Sequence, residues 1–382
     1  MSVEANRFRA ALARARPWVM VFDAPLAAAL LAIVALSVIT MYSAAHDFPG
    51  RFEAHVRNLF IAAAALWLAA IAPRAWLQRF AVPLFLAGIV LLVAVALFGD
   101  VAKGARRWLN LGVIRIQPSE MLKIAAPLMI AWYFQRREGA LRWFDFLVAA
   151  VLLMVPVWLI ARQPDLGTAL LVFASGGFVI FLAGVPWKAL VALGIAITAS
   201  APLLWTSMHD YQRQRVLTLL DPASDPLGRG FHIIQSTIAI GSGGVWGKGW
   251  MEGTQTRLEF VPERTTDFIL AVFSEEFGLV GNGVLLALYL VVVLRSLAIA
   301  ARALTLFDRL LAGSLALVFF VYAFVNIGMV SGVLPVVGVP LPLMSYGGTA
   351  MVTLGLGLGI LMGISRARKR PESASQRMNR LT

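Results

Sequence analysis

About ten apolar runs divide this chain of 382 residues, near 24–43, 57–72, 80–98, 119–135, 144–161, 168–184, 187–206, 268–294, 307–330 and 349–365. Each approaches the roughly 20 residues that cross a hydrocarbon core as a helix. The expected fold is therefore all-α and polytopic, with about ten transmembrane helices and one large extracytoplasmic loop, 207–267, between the seventh and eighth. With 60% of residues hydrophobic and 14% charged, a soluble fold would carry more apolar surface than it could cover. The first run is too long for a cleavable signal core and no small-residue cleavage pattern follows it, so it reads as a retained helix. The lack of cysteine excludes disulfides, thiolate metal sites and thiol nucleophiles. A net charge of +13 raises the question of nucleic acid. The positive residues are spread among loops rather than interleaved with aromatics, however, and no nucleic-acid partner is expected.

Topology accounts for most of that charge. Arg7, Arg9, Arg14 and Arg16 precede the first run, and Arg366, Arg368, Lys369 and Arg370 follow the last. By the positive-inside rule both ends face the cytoplasm, which an even number of helices permits. Arg74 with Arg79, Arg136 with Arg137 and Arg142, and Arg295 with Arg302 and Arg309 fall on the same side. The outward segments are then 44–56, 99–118, 162–167, 207–267 and 331–348, which hold nearly all the glycine, proline and acid-bearing motifs, so chemistry is expected on the outer face. The long loop exceeds an ordinary connection and is expected to fold as a cap on the membrane surface. Residues 1–370 read as one domain, and 371–382 as a polar disordered tail.

The stretch 258–283, LEFVPERTTDFILAVFSEEFGLVGNG, is where charge meets a membrane helix. Glu259, Glu263, Arg264 and Asp267 run into apolar sequence beginning at Phe268, and Asp267 is the deepest of them, which makes it the candidate catalytic carboxylate. A structural role stands beside this: Thr265 or Thr266 as helix cap, with Asp267 a favourable acid in the first turn. Glu275 and Glu276 cannot both face lipid, so at least one must turn inward, pair or stay protonated.

Four further motifs hold candidate binding groups. In GARRWLNLGVIRIQPSEMLKIAAPL, Arg106, Arg107 and Trp108 precede Gln117, and Glu120 and Lys123 share one helix face at i, i+3. Ser119 would cap that helix. An intramembrane ion pair is expensive, which argues for function, although a purely structural pair is equally open. The arginines have the planar fork that suits phosphate. In RQPDLGTALL, Asp165 is a helix-start residue or a substrate ligand. The long loop offers Arg213 and Arg215, then GSGGVWGKGW, where flexible amides beside Lys248 would cradle an anion. In NIGMVSGVLPVVGVPLPLMSYGGTAM, irregular backbone at membrane depth must be protein-packed or line a wet cavity, and Ser345 and Tyr346 supply hydrogen-bonding groups to one wall of the site.

The strings GARRWLNLG, QPSEMLKIA, QPDLGTAL, FVPERTTDFILAVFSEEFGLVG and VSGVLPVVGVPLPLMSYGG, in that order along nearly the whole chain, closely resemble the SEDS family of shape, elongation and division proteins. The PER before TTDF and the GVPLPLMSYGG string are more similar to its elongation branch. The resemblance implies a ten-helix peptidoglycan glycosyltransferase of the inner membrane that polymerises lipid II on the outer face beside a class B penicillin-binding protein. It implies that Asp267 is the essential aspartate, and that Glu120 and Lys123 are polar cavity residues. One departure is Thr265, where the family commonly has histidine. Asp267 would then act as general base, with Arg213, Arg215, Lys248 or Lys123 stabilising the departing pyrophosphate. A divalent cation such as Mg would share that role, although no metal ligand set is legible. A lipid II flippase, or a non-catalytic scaffold for the penicillin-binding protein, is the alternative.

Overall fold

The computed structural model describes residues 22–102, 105–110, 115–163, 165–207, 213–214, 217–219, 221, 229–261 and 263–369. The N-terminal arm and the tail 371–382 lie outside them, as do most of 208–228 and the residue Arg215. Ten helices of 17 residues or more occur among the described residues, one for each apolar run. They are α1 (Ala24–Ala44), α2 (Arg51–Ile71), α3 (Arg74–Phe98), α4 (Pro118–Arg136), α5 (Trp143–Arg162), α6 (Leu166–Leu182), α7 (Trp187–Ser207), α10 (Ile269–Ala301), α11 (Leu306–Val330) and α12 (Gly348–Lys369). The shorter α8 (Arg229–Ser242) and α9 (Thr254–Arg257) belong to the long loop. Seven of the ten (α1, α2, α3, α5, α10, α11 and α12) are long and apolar enough by length and composition to cross a membrane. The chain is a polytopic helical membrane protein.

Local chemistry sets the ends of these helices. Asp23 is the N-cap of α1, with Pro25 in the first turn, where its missing N–H costs nothing. The Asp23 carboxylate also accepts from Arg295 Nε at 2.7 Å and Nη2 at 2.8 Å and from Ser365 Oγ at 3.2 Å, so one acid fastens α1 to α10 and α12. The helix α2 begins at Arg51, six residues before the expected run, because the amphipathic turn ahead of it is still helical. Ser119 does not cap α4: the N-cap is Gln117, and Pro118 occupies the first helical position. Between α3 and α4 the chain forms three short antiparallel strands, β1 (Asp100–Ala102), β2 (Ala105–Asn110) and β3 (Arg115–Ile116), in the order β1-β2-β3. Trp108 pairs with Asp100 in that sheet.

The most inward of the spanning helices is α11, most of whose apolar stretch is buried. It packs on α4, α6 and α10. The contact of α12 with α2 uses Gly355, Gly359 and Gly363, spaced by four, against the backbone of Ala62, Leu66 and Ala70. Small residues at that spacing let two membrane helices approach closely where no hydrophobic driving force separates helix from lipid.

Continuous as the apolar pattern of α10 is, the helix is broken at Gly278 (φ 63°, ψ −160°). The glycine-rich run 241–250 meets the break. Lys248 and Gly249 donate their backbone N–H groups to Glu275 and Glu276 (3.0 and 3.1 Å), and Leu279 and Val280 donate to Gly244 and Val245 (2.9 and 3.1 Å). A Cβ on Gly247 would run into the Glu276 carbonyl, and one on Gly278 into the Gly247 backbone. These amides therefore splint a broken membrane helix, rather than standing open to an anion as the composition suggested. Freed backbone groups at membrane depth must find such partners.

Candidate functional site

The turn 263–268 carries Asp267 into the start of α10. The N-cap of α10 is Phe268, with no side-chain cap, so neither Thr265 nor Thr266 caps the helix and Asp267 precedes it. Thr266 and Phe268 donate their N–H groups to the Glu263 carbonyl (2.9 and 3.3 Å), and Thr266 Oγ1 bonds the Glu263 carboxylate at 2.8 Å. Asp267 is half-buried. Its carbonyl accepts from Asn326 Nδ2 of α11 at 2.9 Å, and the second hydrogen of the same amide goes to Val339 at 2.7 Å.

The residues around this turn lock it. Arg264 is 3% exposed and uses its whole guanidinium on protein: Nε to Ala44 O at 3.0 Å, Nη1 to Thr256 O at 2.7 Å, and Nη2 to Asp47 at 2.5 Å. Thr265 accepts at its carbonyl from Tyr346 N (2.8 Å) and at Oγ1 from Arg51 Nη1 (2.9 Å). Arg51 and Arg264 lie 5.0 and 5.1 Å from the Phe48 ring, and Arg51 also lies 5.0 Å from the Tyr346 ring. Tyr346 therefore serves the site through its backbone and its ring face. Ser345 Oγ accepts from Leu341 N at 2.8 Å, which closes the turn of the last loop.

That loop bridges two of the sequence motifs. A Cβ on Gly338 (φ 75°) would stand 3.5 Å from Asp267 Oδ2, and one on Gly167 would stand 2.8 Å from Val337 O. Asp267 and the start of α6 thus pack on adjacent residues of one strand of loop. At α6, Asp165 is the N-cap, accepting from Thr168 N at 3.2 Å, while its other oxygen accepts from Gln117 Nε2 at 3.2 Å and faces Arg107 Nε at 3.9 Å. Arg107, Gln117 and Asp165, distant in sequence, therefore form one polar cluster. Trp108 is half-buried beside it in sequence, while the side chain of Arg106 lies outside the described ones.

One turn into α4, Glu120 and Lys123 pair at 2.5 Å, both buried, and the Lys123 ammonium lies 5.3 Å from the Tyr322 ring. Tyr322 and Asn326 are four apart on α11, hence on one face, so a single helix face touches both the ion pair and the Asp267 turn. Gln117 and Glu120 line a cavity of about 620 Å³ between α2, α3, α4 and α12. Asn58, Thr349 and Thr353 are among its few other polar lining residues; the remainder is almost entirely apolar.

Two of the basic residues read as anion ligands are engaged elsewhere. Lys248 bonds Glu275 and Thr254, each at 2.7 Å, and Glu275 also accepts from Gln255 N and Thr256 N at 2.9 and 3.2 Å. Glu276 is buried against Ser43 Oγ and Met251 N, so both acids of the Glu275–Glu276 pair turn inward. Arg213 donates to the carbonyls of Trp205 and Thr206 near the end of α7. Sequence reasoning passed over Asn326, Tyr322 and Arg51. The first two are polar groups inside a spanning run, which is itself a signal. Arg51 is a cation on the expected outer side, against the positive-inside bias.

A family model described as "Cell cycle protein", FTSW_RODA_SPOVE, matches residues 17–370. The chain belongs to this family, the SEDS family. Peptidoglycan glycosyltransferase MrdB of Escherichia coli K12, a RodA, is 52% identical over 341 residues, covering 89% of this chain and 92% of the relative. Probable peptidoglycan glycosyltransferase FtsW of Geobacter sulfurreducens is 38% identical over 302 residues, covering 78% and 80%. Among solved structures, a chain from a peptidoglycan synthase complex that coordinates polymerization and crosslinking superposes with a TM-score of 0.79 at 36% identity, covering 92% of this chain and 99% of that one. The rod shape determining protein RodA of Thermus thermophilus superposes with a TM-score of 0.69 at 30% identity, covering 92% and 98%. Among SEDS proteins, this chain sits on the RodA side.

Proposed function

We propose that this chain is the peptidoglycan glycosyltransferase of cell elongation, that it polymerises lipid II, and that Asp267 is its general base. The observation that carries the assignment of Asp267 is the turn 263–268: a half-buried carboxylate held outside the helix by Asn326 and set against Gly338.

In the reaction the 4-hydroxyl of an acceptor N-acetylglucosamine attacks the anomeric carbon of a donor N-acetylmuramic acid. The O–H bond breaks and its proton passes to Asp267, a C–O bond forms with inversion, and the bond to phosphate breaks, releasing undecaprenyl pyrophosphate with the electron pair. A base positioned in this way contributes about 100-fold or more. The apolar cavity beside Gln117 and Glu120 suits a prenyl chain, with the polar cluster of Arg107, Gln117 and Asp165 at the end nearest the headgroup. Among the described residues no group of three or more His, Asp or Glu is gathered to hold a metal ion, so they do not form a cation cage. The active site would face outward and both termini inward, at the inner membrane, with membrane lipids around the bundle and a class B penicillin-binding protein as partner, in keeping with the complex from which one structural neighbour comes.

The test is polymerisation of labelled lipid II by the purified protein with its partner, separated on a gel. Glycan ladders from wild type that fall at least about 100-fold in Asp267→Asn, with the variant folded, support the assignment. Ladders of equal strength from the variant overturn it. A second reading, lipid II translocation, draws on the buried Glu120–Lys123 pair, since such groups also mark transport paths. Movement of lipid II between leaflets without polymer would favour it.

A further inference from the structure

The reaction proposed above needs a cation where negative charge leaves, and most of the basic residues expected to supply it are already spent on protein. Lys123 is paired with Glu120, Lys248 with Glu275, Arg107 stands beside Asp165, and Arg213 serves backbone carbonyls. Arg264, only three residues from Asp267, is buried and saturated by Ala44, Thr256 and Asp47.

Arg51 is different. It is half-buried at the first position of α2, and its Nη1 donates to the Thr265 hydroxyl, two residues before Asp267. Among the described residues no carboxylate pairs with it, and Nε and Nη2 meet no protein acceptor there. Its Cζ stands 5.0 Å from the centroids of both the Phe48 and Tyr346 rings. Contact with aromatic faces fixes the guanidinium plane at little entropic cost and leaves its edge for hydrogen bonding. Tyr346 is itself bonded through its N–H to the Thr265 carbonyl, so the cation, the ring and the Asp267 turn form one unit.

We propose that Arg51 binds the pyrophosphate of the lipid-linked donor beside Asp267 and takes up its charge as it departs. A planar fork with free edge donors and no neutralising acid is the arrangement that recognises phosphate oxygens in pairs. The inference rests on the glycosyltransferase reading and names the group that meets the leaving anion.

Binding can be read without turnover. The full-length protein in lipid nanodiscs is titrated with a polyprenyl pyrophosphate and, separately, with the corresponding monophosphate, following tryptophan fluorescence, with polymerisation measured alongside. Arg51→Met, an uncharged side chain of similar length that still packs on the rings, is expected to bind the pyrophosphate roughly 10- to 100-fold more weakly, with its thermal midpoint unchanged. Arg51→Lys, which keeps the charge and loses the fork, is expected to fall between. The preference for pyrophosphate over monophosphate shrinks in the same order. Affinity unchanged in Arg51→Met, or in Arg51→Lys should the former not fold, overturns the role of Arg51 while ladders from wild type leave the enzyme reading intact. Failure of wild type to polymerise overturns that reading and the inference with it.

Discussion

The side-chain amide of Asn326 donates to the carbonyl of Asp267 at 2.9 Å, so the candidate base is positioned through its backbone by a residue buried in α11. The other amide hydrogen holds Val339, one residue from the Gly338 that lies against the Asp267 carboxylate. Asn326→Ala removes both bonds and leaves two carbonyls short of a partner. The expected result is a loss of about 1–3 kcal/mol in stability and a fall in kcat for polymerisation with KM for lipid II nearly unchanged. Thermal denaturation and steady-state kinetics on the same preparation check it, and a normal kcat would remove Asn326 from the positioning of Asp267.

The buried pair of Glu120 and Lys123 makes an asymmetric prediction. Removing one partner strands the other charge, at a cost of about 3–5 kcal/mol, whereas removing both does not. Lys123→Met and Glu120→Gln should each lower the thermal midpoint strongly, and the double variant should recover most of the loss. A double variant as unstable as the sum of the singles would mean that the two do not act as a pair.

At the helix break, Gly247→Ala and Gly278→Ala place a Cβ into backbone and force a positive φ on an L residue. Each should destabilise by more than about 2 kcal/mol, seen as a lower midpoint and lower yield of folded protein. A neighbouring glycine in open space, Gly241, should tolerate alanine; equal tolerance at all three positions would refute the splint.

The Asp23 carboxyl is held below its usual range, chiefly by its hydrogen bonds from Arg295. A carboxyl depressed in the folded state stabilises it above the unfolded value near 3.9, and that contribution is lost as pH falls through the folded value. The stability difference between wild type and Asp23→Asn should therefore stay constant from about pH 8 to 5 and shrink below about pH 4. A difference that instead grows on acidification would contradict this pairing.

Much of the fold was legible because lipid imposes one rule on every spanning segment. Each of the ten apolar runs has its helix, and the stretch around Asp267 was found from charge at membrane depth. The break at Gly278 was not legible, since apolar residues continue on both sides of it. Its hydrogen-bond partners come from 244–249, about thirty residues earlier, a pairing that no local pattern announces. The same limit applied to the basic residues. Composition flagged Lys248 and Arg213 by their surroundings in sequence, while the cation that reaches the Asp267 turn, Arg51, comes from another helix altogether. Thr265 stood out as a departure from the family's usual histidine, and in the folded chain it is the acceptor that receives Arg51. Asp165 was read as helix start or ligand, and it caps α6 while also drawing Gln117 and Arg107 together.

Tyr322 and Asn326 stand one turn apart on α11, the first under the Lys123 ammonium and the second on Asp267. An α-helix is stiff along its axis, with a rise of about 1.5 Å per residue. Sliding or rolling α11 by even that much shifts both contacts in concert. The buried ion pair and the Asp267 turn are thus geared to one shaft, and neither can be retuned by a movement of α11 that leaves the other where it was.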